Sequence, residues 1–349
     1  MALSVDIQKQ LGAFRLHVQF ETDGGTLGLL GASGCGKSVT LQCIAGIMKP
    51  DRGRIVLNGR VLFDSERHIH LPPQKRAVGY LFQQYALFPN MTVEQNILAG
   101  VRSGSRAEKR ETVLAALHAF RLESVAKQHP VTLSGGQQQR TALARILVGK
   151  PELLLLDEPF SALDETLREQ LMWELTRSLE PFDGDVLFVS HDRTEMRRFC
   201  RSVCVLDAGR SEPVQPAKEL LSHPHSVAAA RLAGFYNLAP AERIAPDRAF
   251  VPAWGIELAI DPNESDFDAV CMQNDALALC EAHSPGAFCC SVVGTSDSED
   301  GQTLLLHPMH GSPESTLLLC KSVRKVETNN LIWVSLAENR AIFCLKSGI

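Results

Sequence analysis

The chain of 349 residues lacks the segments that would insert it into a membrane or export it. No run approaches the ~18 apolar residues that a membrane-spanning helix needs. The N-terminal sequence MALSVDIQKQ lacks the apolar core of a secretory signal peptide. Aromatic residues make up only 6% of the chain, yet its 45% of hydrophobic residues is ordinary for a packed globular protein. We therefore expect a globular protein that is made and kept in the cytosol.

An excess of positive charge is also missing, since 35 Lys and Arg stand against 40 Asp and Glu and give a formal net charge of −5. Binding nucleic acid without regard to sequence requires the neutralisation of many phosphates. We therefore expect no nucleic-acid partner. The 10 cysteines include no CxxC pair and no Cys/His spacing typical of zinc sites, so we expect reduced and mostly buried thiols.

The pattern of apolar runs divides the chain into two regions. Up to about residue 222, short apolar runs alternate with amphipathic stretches, an order typical of a parallel sheet covered by helices. Asn58-Gly59 between two apolar arms predicts a β-hairpin. Beyond a stretch rich in Ala and Pro, short β-like runs separated by polar turns predict a smaller all-β domain. We expect an α/β domain at 1–230, a linker at 231–252 and a β-rich domain at 253–349.

Four apolar runs are predicted to be strands of the α/β domain, namely Thr26–Leu30, Leu153–Leu156, Asp185–Ser190 and Ser202–Leu206. The β-like runs of the second domain are Ala287–Val293, Thr303–Leu306, Thr316–Cys320 and Leu331–Leu336. The run Leu153–Leu156 has no polar member, as expected of a strand that is buried on both faces.

A glycine-rich loop, GASGCGKS at residues 31–38, fits the pattern G-x-x-x-x-G-K-[ST]. It follows the apolar run Thr26–Leu30 and precedes the helical pattern of Ser38–Ile47, which is the context that a phosphate-binding loop requires. Glycines let backbone N–H groups surround phosphate oxygens, and the helix N-terminus adds its positive dipole end. Lys37 would reach the outer phosphates and Ser38 would ligate Mg²⁺. A chance glycine-rich turn is the alternative, which the flanking strand and helix disfavour.

Two adjacent carboxylates, Asp157 and Glu158, follow the buried run Leu153–Leu156. The carboxyl end of a strand in a parallel sheet is where a phosphate-binding loop also lies. Because neighbouring side chains of a strand point in different directions, Asp157 can ligate Mg²⁺ while Glu158 acts as general base on an attacking water. A solvated strand end is the alternative. His191 follows another apolar strand, where a lone histidine is more often structural or merely exposed.

A second candidate anion cradle consists of Ser134, Gly135, Gly136 and Gln137, which precede the helical stretch Thr141–Leu147. Serine and glycine at a helix start leave backbone N–H groups accessible to an anion. Taken alone, this segment is a helix N-cap with two permissive glycines. The anion interpretation therefore depends on the motifs that accompany it.

In this order across residues 1 to about 222, the motifs resemble those of the nucleotide-binding subunit of an ABC transporter. The resemblance implies an α/β fold of the P-loop NTPase, ABC type, with a smaller C-terminal all-β domain of the TOBE/OB-like kind. It implies that the protein binds ATP and Mg²⁺ and hydrolyses ATP. The motifs that it assigns are the Walker A loop at 31–38, the Q-loop Gln83, the LSGGQ signature Leu133–Gln137, the Walker B Asp157 with catalytic Glu158, the D-loop Ser161–Asp164 and the switch His191.

The same resemblance implies the roles of the site residues. Phe14 would stack on adenine, although a Phe in the core of a strand is the alternative. Val39 stands where the family commonly has Thr, which we expect to weaken nucleotide binding by about 1 kcal/mol. The catalytic residues would be Glu158, His191 and Gln83. The metal ligands would be Ser38, Gln83 and Asp157. The nucleotide contacts would be Phe14, Gly31, Ser33, Gly34, Cys35, Gly36, Lys37, Ser38, Val39, Ser134, Gly135, Gly136, Gln137 and Asp164.

The resemblance also implies partners. Two copies would form a homodimer, closed head to tail, in which the loop 31–38 of one copy and the signature of the other enclose each ATP. Because no segment of the chain is expected to cross a membrane, transport would require a separate transmembrane permease. The permease would dock at Tyr85–Pro89, where local core packing is the alternative for Leu87 and Phe88. A periplasmic or extracellular solute-binding protein would act indirectly, and this subunit would be peripheral at the cytoplasmic face of the inner membrane.

The β-rich tail resembles the regulatory domain of importer ATPases, and residues 53–64 and 71–83 look most like the molybdate subfamily. We expect import of an inorganic oxyanion, molybdate before others. The tail has His283–Ala287 where domains of the molybdate-binding type often carry a Ser-x-Arg-Asn segment, so ion sensing by the tail is not predicted. The open alternatives are import of tungstate, sulfate, ferric iron or a polyamine, a soluble ABC ATPase of DNA repair or translation, and a P-loop kinase.

Overall fold

The computed structural model describes residues 3–22, 24–160, 165–180, 182–263, 266–298, 301–311, 317–336 and 341–345. The chain forms two compact units, Met1–Ala217 and Lys218–Ile349. This division differs from the expected one, because the boundary lies before residue 230 and the stretch 231–252 carries strands of the second unit. Each of those strands is only 4 residues long. In strands this short, among Ala and Pro residues, the alternation of apolar and polar side chains that marks a strand is hard to recognise in the sequence.

Unit 1 combines strands with helices, of which α1, α4 and α6 pack against strands. Its strands are β1 (Leu3–Leu11), β2 (Phe14–Glu21), β3 (Thr26–Leu30), β4 (Arg52–Leu57), β5 (Arg60–Asp64), β6 (Ile69–His70), β7 (Val78–Leu81), β8 (Leu153–Asp157), β9 (Asp185–Ser190), β10 (Ser202–Asp207), β11 (Arg210–Ser211) and β12 (Gln215–Pro216). Its helices are α1 (Lys37–Ala45), α2 (Val93–Gly100), α3 (Arg106–Ala119), α4 (Gly135–Leu147), α5 (Glu165–Leu179) and α6 (Arg193–Phe199). Helix α7 (Ala217–Ser222) begins at the boundary between the units.

The central strands of unit 1 pair in parallel in the order β10-β3-β9-β8-β7. This confirms the predicted parallel sheet, and the bounds of β3 and β9 coincide with the predicted runs. Every residue of β8 and of β9 is buried, in keeping with their apolar sequences. Because the pairing is parallel, the carboxyl ends of β3, β8 and β9 meet at one edge of the sheet.

An antiparallel arm in the order β6-β5-β4-β1-β2 continues the sheet through β11. The predicted hairpin is confirmed, since β4 and β5 pair antiparallel. Its turn residues Asn58 and Gly59 both have positive φ, 51° and 76°, which a tight Asn-Gly hairpin turn requires. Strands β1 and β2 are additional to the predicted elements. The available sequence signal was an alternation of apolar and polar residues, with Leu3, Val5 and Ile7 of β1 as the apolar members that the structure buries.

A buried arginine caps the end of α1. Arg76, in the turn before β7, is fully buried and donates from Nη1 to the carbonyl oxygens of Cys43 and Ile44 at 2.9 and 2.8 Å. Its Nε donates to the Leu71 carbonyl oxygen at 2.8 Å. The last carbonyl groups of a helix have no partner within the helix, so Arg76 supplies donors that they would otherwise lack. Burial lowers the pKa of Arg76 to about 10. The guanidinium thereby ties the helix that follows the glycine-rich loop to the strand β7.

We expect Arg76→Ala to lower the free energy of unfolding by about 3 kcal/mol, because buried carbonyl groups would lose their donor. Urea unfolding followed by circular dichroism measures the change. Arg110→Ala, at an exposed position of α3, is the matched control and should shift stability by less than about 0.5 kcal/mol. Equal effects of the two substitutions would contradict the capping role of Arg76.

Unit 2 carries the predicted all-β domain and adds the short helix α8 (Val227–Leu232). Its strands pair in the orders β13-β17-β23, β14-β15-β16 and β18-β22-β19-β20-β21. The predicted run Leu331–Leu336 is strand β22, and His283–Ala287 lies in the turn between β18 and β19. The strands are β13 (Asn237–Pro240), β14 (Glu242–Ala245), β15 (Arg248–Val251), β16 (Ile256–Ala259), β17 (Ala269–Met272), β18 (Leu277–Cys280), β19 (Phe288–Ser298), β20 (Gly301–Pro308), β21 (Leu318–Ser322), β22 (Leu331–Leu336) and β23 (Ile342–Cys344).

The structure agrees with the expectation of mostly buried thiols. All 10 cysteines are free, and only Cys280 and Cys289 are partly exposed. Separately, none of the helices in the part of the chain that the structure describes is both long enough and apolar enough to span a membrane.

Candidate functional site

The glycine-rich loop 31–38 lies between β3 and α1, in the strand–loop–helix order predicted for it. Gly34 and Gly36 have positive φ, 80° and 109°, a conformation that strains other residues. A Cβ on Gly36 would lie 2.5 Å from Leu16 Cδ1, and a Cβ on Gly31 would lie 2.5 Å from the Leu206 carbonyl oxygen. Glycine is therefore required by close packing as well as by backbone conformation.

Lys37 is the first residue of α1, and only 5% of its side chain is exposed. Its ammonium group donates to the carbonyl oxygens of Gly31 and Ala32 at 2.7 and 2.9 Å. It also lies 3.8 Å from Glu158 Oε1. The loop thus curls around this charge. Phosphate oxygens are stronger acceptors for an ammonium than carbonyl oxygens are, so Lys37 is well placed to bind them.

Asp157, the last residue of β8, is buried, and both of its carboxylate oxygens accept a hydrogen bond. Ser38 Oγ donates to Oδ1 at 3.0 Å, and the Tyr80 hydroxyl donates to Oδ2 at 2.8 Å. Burial raises the pKa of Asp157, and the two hydrogen bonds oppose this shift. Burial, followed by the charge of Asp157, raises the pKa of Tyr80, so this hydroxyl stays a donor at neutral pH. Tyr80 is not part of the predicted site.

The oxygen donors of Ser38 and Asp157 fit Mg²⁺, which prefers a few protein oxygens together with water and phosphate oxygens. In the described part of the chain, no group of three or more His, Cys, Asp or Glu side chains could hold a metal by itself. A magnesium ion here therefore depends on the nucleotide for part of its ligands. Gln83, predicted as a further ligand, is exposed and follows β7. Leu81 lies opposite Leu156 in the pairing of β7 with β8, so Gln83 lies at the same edge as Asp157.

Glu158 has different surroundings from its neighbour Asp157. Its φ is 44°, and its N–H donates to the Val189 carbonyl oxygen at 3.0 Å. Its Oε1 lies 3.6 Å from His191 Nδ1 and, as described, close to the Lys37 ammonium. A left-handed backbone at a residue other than glycine is uncommon and concentrates at functional sites. The two acids therefore have separate partners, as a division of roles between metal and water requires.

The turn that carries His191 is held by residues outside the predicted motifs. Ser190 Oγ donates to Oε2 of the buried Glu195 at 2.6 Å. Asp192 Oδ1 accepts from the N–H groups of Thr194 and Glu195 and so caps α6. Arg168 donates to Asp192 Oδ2 at 3.4 Å. A small pocket here is lined by Glu158, Arg168, Ser190, His191, Asp192 and Glu195. The Asp-x-x-Glu spacing at a helix start was the available sequence signal.

Ser134 begins the helix α4 as its N-cap. Its Oγ accepts from the Gln137 N–H at 3.3 Å, and Gln137 Oε1 accepts from the Ser134 N–H at 2.9 Å. Gly136 packs against Leu171, where a Cβ would lie 2.8 Å from Cδ2. These hydrogen bonds lie within the signature segment and do not join it to the loop 31–38. The N-cap is thus established, and the anion role of Ser134, Gly135, Gly136 and Gln137 stays a prediction.

Phe14 opens β2 and lies beside the glycine-rich loop. Its ring is half-buried, and a Cβ on Gly36 would lie 3.2 Å from its Cζ. A cavity of about 450 Å³ is lined by Ala13, Phe14, Arg15, His17, Ala208 and Arg210. Both stacking on adenine and packing against the core fit this location, so the adenine role stays a prediction. Val39 is half-buried against the core, and the D-loop with Asp164 lies outside the described residues.

The glycine-rich loop, the enclosed Lys37 and the acids at the edge of a parallel sheet define a P-loop nucleotide-binding domain. The ABC transporter family model matches residues 16–161. One curated relative, the molybdate/tungstate import ATP-binding protein WtpC of Archaeoglobus fulgidus, is 43% identical over 222 residues, which cover 64% of this chain and 90% of that protein. The chain belongs to the ABC transporter family.

A second relative is the molybdenum import ATP-binding protein ModC of Rhizobium etli, 36% identical over 234 residues, or 67% of this chain and 66% of that protein. The chain therefore spans slightly less than two thirds of this relative. Among solved structures, the chain is similar to the ATP-binding cassette MJ0796 in a dimeric post-hydrolysis state bound to ADP and Pi. The TM-score is 0.51 at 28% identity, over 62% of this chain and 99% of that chain. The fold is that of an ABC ATPase.

We expect Cys35 of the glycine-rich loop to react slowly with iodoacetamide at neutral pH. Its thiol is buried and burial raises its pKa, so the reactive thiolate is a small fraction of the total. The rate should rise as the pH approaches the raised pKa. Peptide mapping by mass spectrometry at neutral and at alkaline pH measures it, with the partly exposed Cys280 and Cys289 as internal standards that react first. Modification of Cys35 as fast as that of Cys280 at neutral pH would refute the expectation.

Proposed function

We propose that the chain is the ATP-hydrolysing subunit of an ABC importer for an inorganic oxyanion, with molybdate as the favoured ion. One observation carries the ATPase part of the proposal: the Lys37 ammonium and the His191 ring both lie within 3.8 Å of the Glu158 carboxylate. A phosphate-binding cation beside a base for water suits phosphoryl transfer to water, and His191 lies beside the same carboxylate. The choice of ion is supported by the relatives, whose names describe molybdenum and molybdate/tungstate import.

The proposed mechanism assigns one task to each group of the site. The loop 31–38 binds the phosphates of ATP with its N–H groups and with Lys37. Ser38 and Asp157 would hold Mg²⁺, which when bound would neutralise charge on the phosphates. Glu158 accepts the proton of the attacking water as general base, and His191 donates to the γ-phosphate. From the end of the neighbouring strand, Gln83 would help to place the metal and the attacking water. In this mechanism catalysis rests on positioning and electrostatic stabilisation.

Two copies of the chain complete each site head to tail in this proposal. The N–H groups at the start of α4 belong to a segment whose described hydrogen bonds do not join it to the loop 31–38 of its own chain. A helix N-terminus that carries Ser134 and two glycines suits the γ-phosphate of an ATP bound to the partner copy. The similar structure MJ0796 is dimeric.

A separate permease docks at Tyr85–Pro89 in this proposal. Arg145 donates to the carbonyl oxygens of Tyr85 and Ala86 at 3.2 and 2.8 Å. Asn96 pairs with both the N–H and the carbonyl oxygen of Phe88. The backbone is thus fixed while 47% of the Phe88 side chain stays exposed. An exposed aromatic anchor on a fixed backbone suits a helix of a partner protein better than it suits local core packing.

The proposed importer also has a location and a regulatory domain. The subunit is peripheral at the cytoplasmic face of the inner membrane, where its permease lies. A periplasmic or extracellular solute-binding protein delivers the ion to that permease. Unit 2 is the regulatory domain of the TOBE/OB-like kind, built as a separate β-rich unit.

We predict that Glu158→Gln binds ATP normally but hydrolyses it about 10²–10⁴ times more slowly, because the general base is lost. Lys37→Ala should weaken ATP binding about 10-fold to 100-fold, because charge-assisted hydrogen bonds to phosphate disappear. Phosphate release and binding of a fluorescent ATP analogue measure the two effects separately. Glu111→Gln, exposed on α3, is the control that should leave both unchanged. Normal turnover in Glu158→Gln would refute the assignment of the base.

We predict that cells whose only copy carries Glu158→Gln lose uptake of labelled molybdate and tungstate, because transport is then no longer energised. A panel that also contains sulfate, ferric iron and putrescine tests the choice of ion. Loss of another member of the panel would keep the transport ATPase and discard molybdate. No loss of uptake, together with a protein that stays in the supernatant when membranes are sedimented, would favour a soluble ABC ATPase.

A further inference from the structure

Two hydrogen-bond donors, one on each carboxylate oxygen, orient the side chain of Asp157. Ser38 Oγ, itself a proposed metal ligand, donates to Oδ1 at 3.0 Å. The Tyr80 hydroxyl, which has no place in the proposed mechanism, donates to Oδ2 at 2.8 Å. Only 6% of Asp157 is exposed, so water has little access to either oxygen. The orientation of this carboxylate therefore depends on protein groups.

The position of Tyr80 is itself fixed by the sheet. It lies in β7 opposite Leu155 of β8, two residues before Asp157, and the length of its side chain carries the hydroxyl to the end of β8. Its ring stacks on that of Phe82, with ring centroids 4.1 Å apart and an interplanar angle of 26°. Phe82 directly follows β7, and residues two apart on an extended chain share a face, so the end of the strand brings the two rings together. Tyr80 thus reaches Asp157 with a rigid ring and one hydroxyl.

We propose that Tyr80 is a positioning residue for the metal site, which engages Oδ2 so that Asp157 presents Oδ1, beside Ser38, to the magnesium ion. The inference rests on the proposed ATPase function, which supplies the metal and the nucleotide. Magnesium demands a near-ideal arrangement of its ligands. A freely rotating carboxylate would satisfy that demand less often than one held by a hydrogen bond. Hydrogen bonds that orient a metal ligand typically contribute a factor of 10 to 100 in metal affinity.

The variant Tyr80→Phe tests the inference because it removes only the hydroxyl and keeps the stacked ring. The full chain is titrated with Mn²⁺ in the presence of ADP, and free Mn²⁺ is measured by electron paramagnetic resonance. We expect the Mn²⁺ affinity of the ADP complex to fall about 10-fold, the lower end of the usual range for such a hydrogen bond. Binding of ADP without metal should be unchanged. Tyr236→Phe, at an exposed position of unit 2, is the matched control.

A second measurement separates positioning from a merely structural role. The Mg²⁺ concentration for half-maximal ATP hydrolysis should rise in Tyr80→Phe by a factor similar to the loss of Mn²⁺ affinity. The rate at saturating Mg²⁺ should stay within about 2-fold of wild type, because the general base and the phosphate loop are intact. Thermal unfolding without ligands reports any loss of stability. A variant that is less stable but keeps the wild-type metal dependence would refute the positioning role.

The outcomes keep this inference distinct from the proposed function. Unchanged Mn²⁺ affinity in Tyr80→Phe, beside a wild-type protein that hydrolyses ATP, overturns the inference and leaves the function standing. A wild-type protein that binds Mn²⁺ with ADP but does not hydrolyse ATP overturns the function, while the comparison of Mn²⁺ affinities still decides the role of Tyr80. A loss of Mn²⁺ affinity equal to that of Tyr236→Phe also counts against the inference.

Discussion

The candidate site depends on the parallel pairing of three neighbouring strands. Asp157 of β8 lies opposite Val189 of β9, and Leu30 of β3 lies opposite Ser190 of β9. The glycine-rich loop, the two acids and His191 therefore leave the sheet at one edge, although they are far apart in sequence. A slip of one residue in β8 would exchange the faces of Asp157 and Glu158. The four leucines of β8 are buried on both faces and do not select this register by themselves, so the hydrogen bonds of Asp157 with Ser38 and Tyr80 help to fix it.

Strand β7 supplies two polar supports to this arrangement. Arg76, just before the strand, satisfies the last carbonyls of α1, and Tyr80, within it, satisfies one oxygen of Asp157. Buried carbonyl and carboxylate groups without donors are costly, so each contact fixes a particular geometry as well as adding stability. Through these two side chains, the end of the parallel sheet at β7 is joined both to the C-terminal end of α1 and to Asp157.

The parts of the fold and site that the sequence predicts are those with a local signal. The loop 31–38, the strands β3 and β9 and the Asn58-Gly59 hairpin each depend on residues close together in the chain. Arg76 and Tyr80 were not predictable in this way, because their partners lie 33 and 77 residues away for Cys43 and Asp157. The structural division lies before the predicted domain boundary for a different reason. Strands of 4 residues among Ala and Pro have too few alternations to show a period of two.

The chemistry of the site bears on the proposed cargo. A tetrahedral oxyanion such as molybdate resembles a phosphate group in shape and charge, so the loop 31–38 and Lys37 alone would bind either. ATP would gain further contacts in the proposed complex, because Ser38 and Asp157 would hold Mg²⁺ for its phosphates and Phe14 would contact its base. Several weak contacts made by one molecule reinforce each other, since the entropy of association is lost only once. In the proposed complex the site therefore favours ATP over a free oxyanion, so we infer that the choice of cargo depends on the permease and the solute-binding protein.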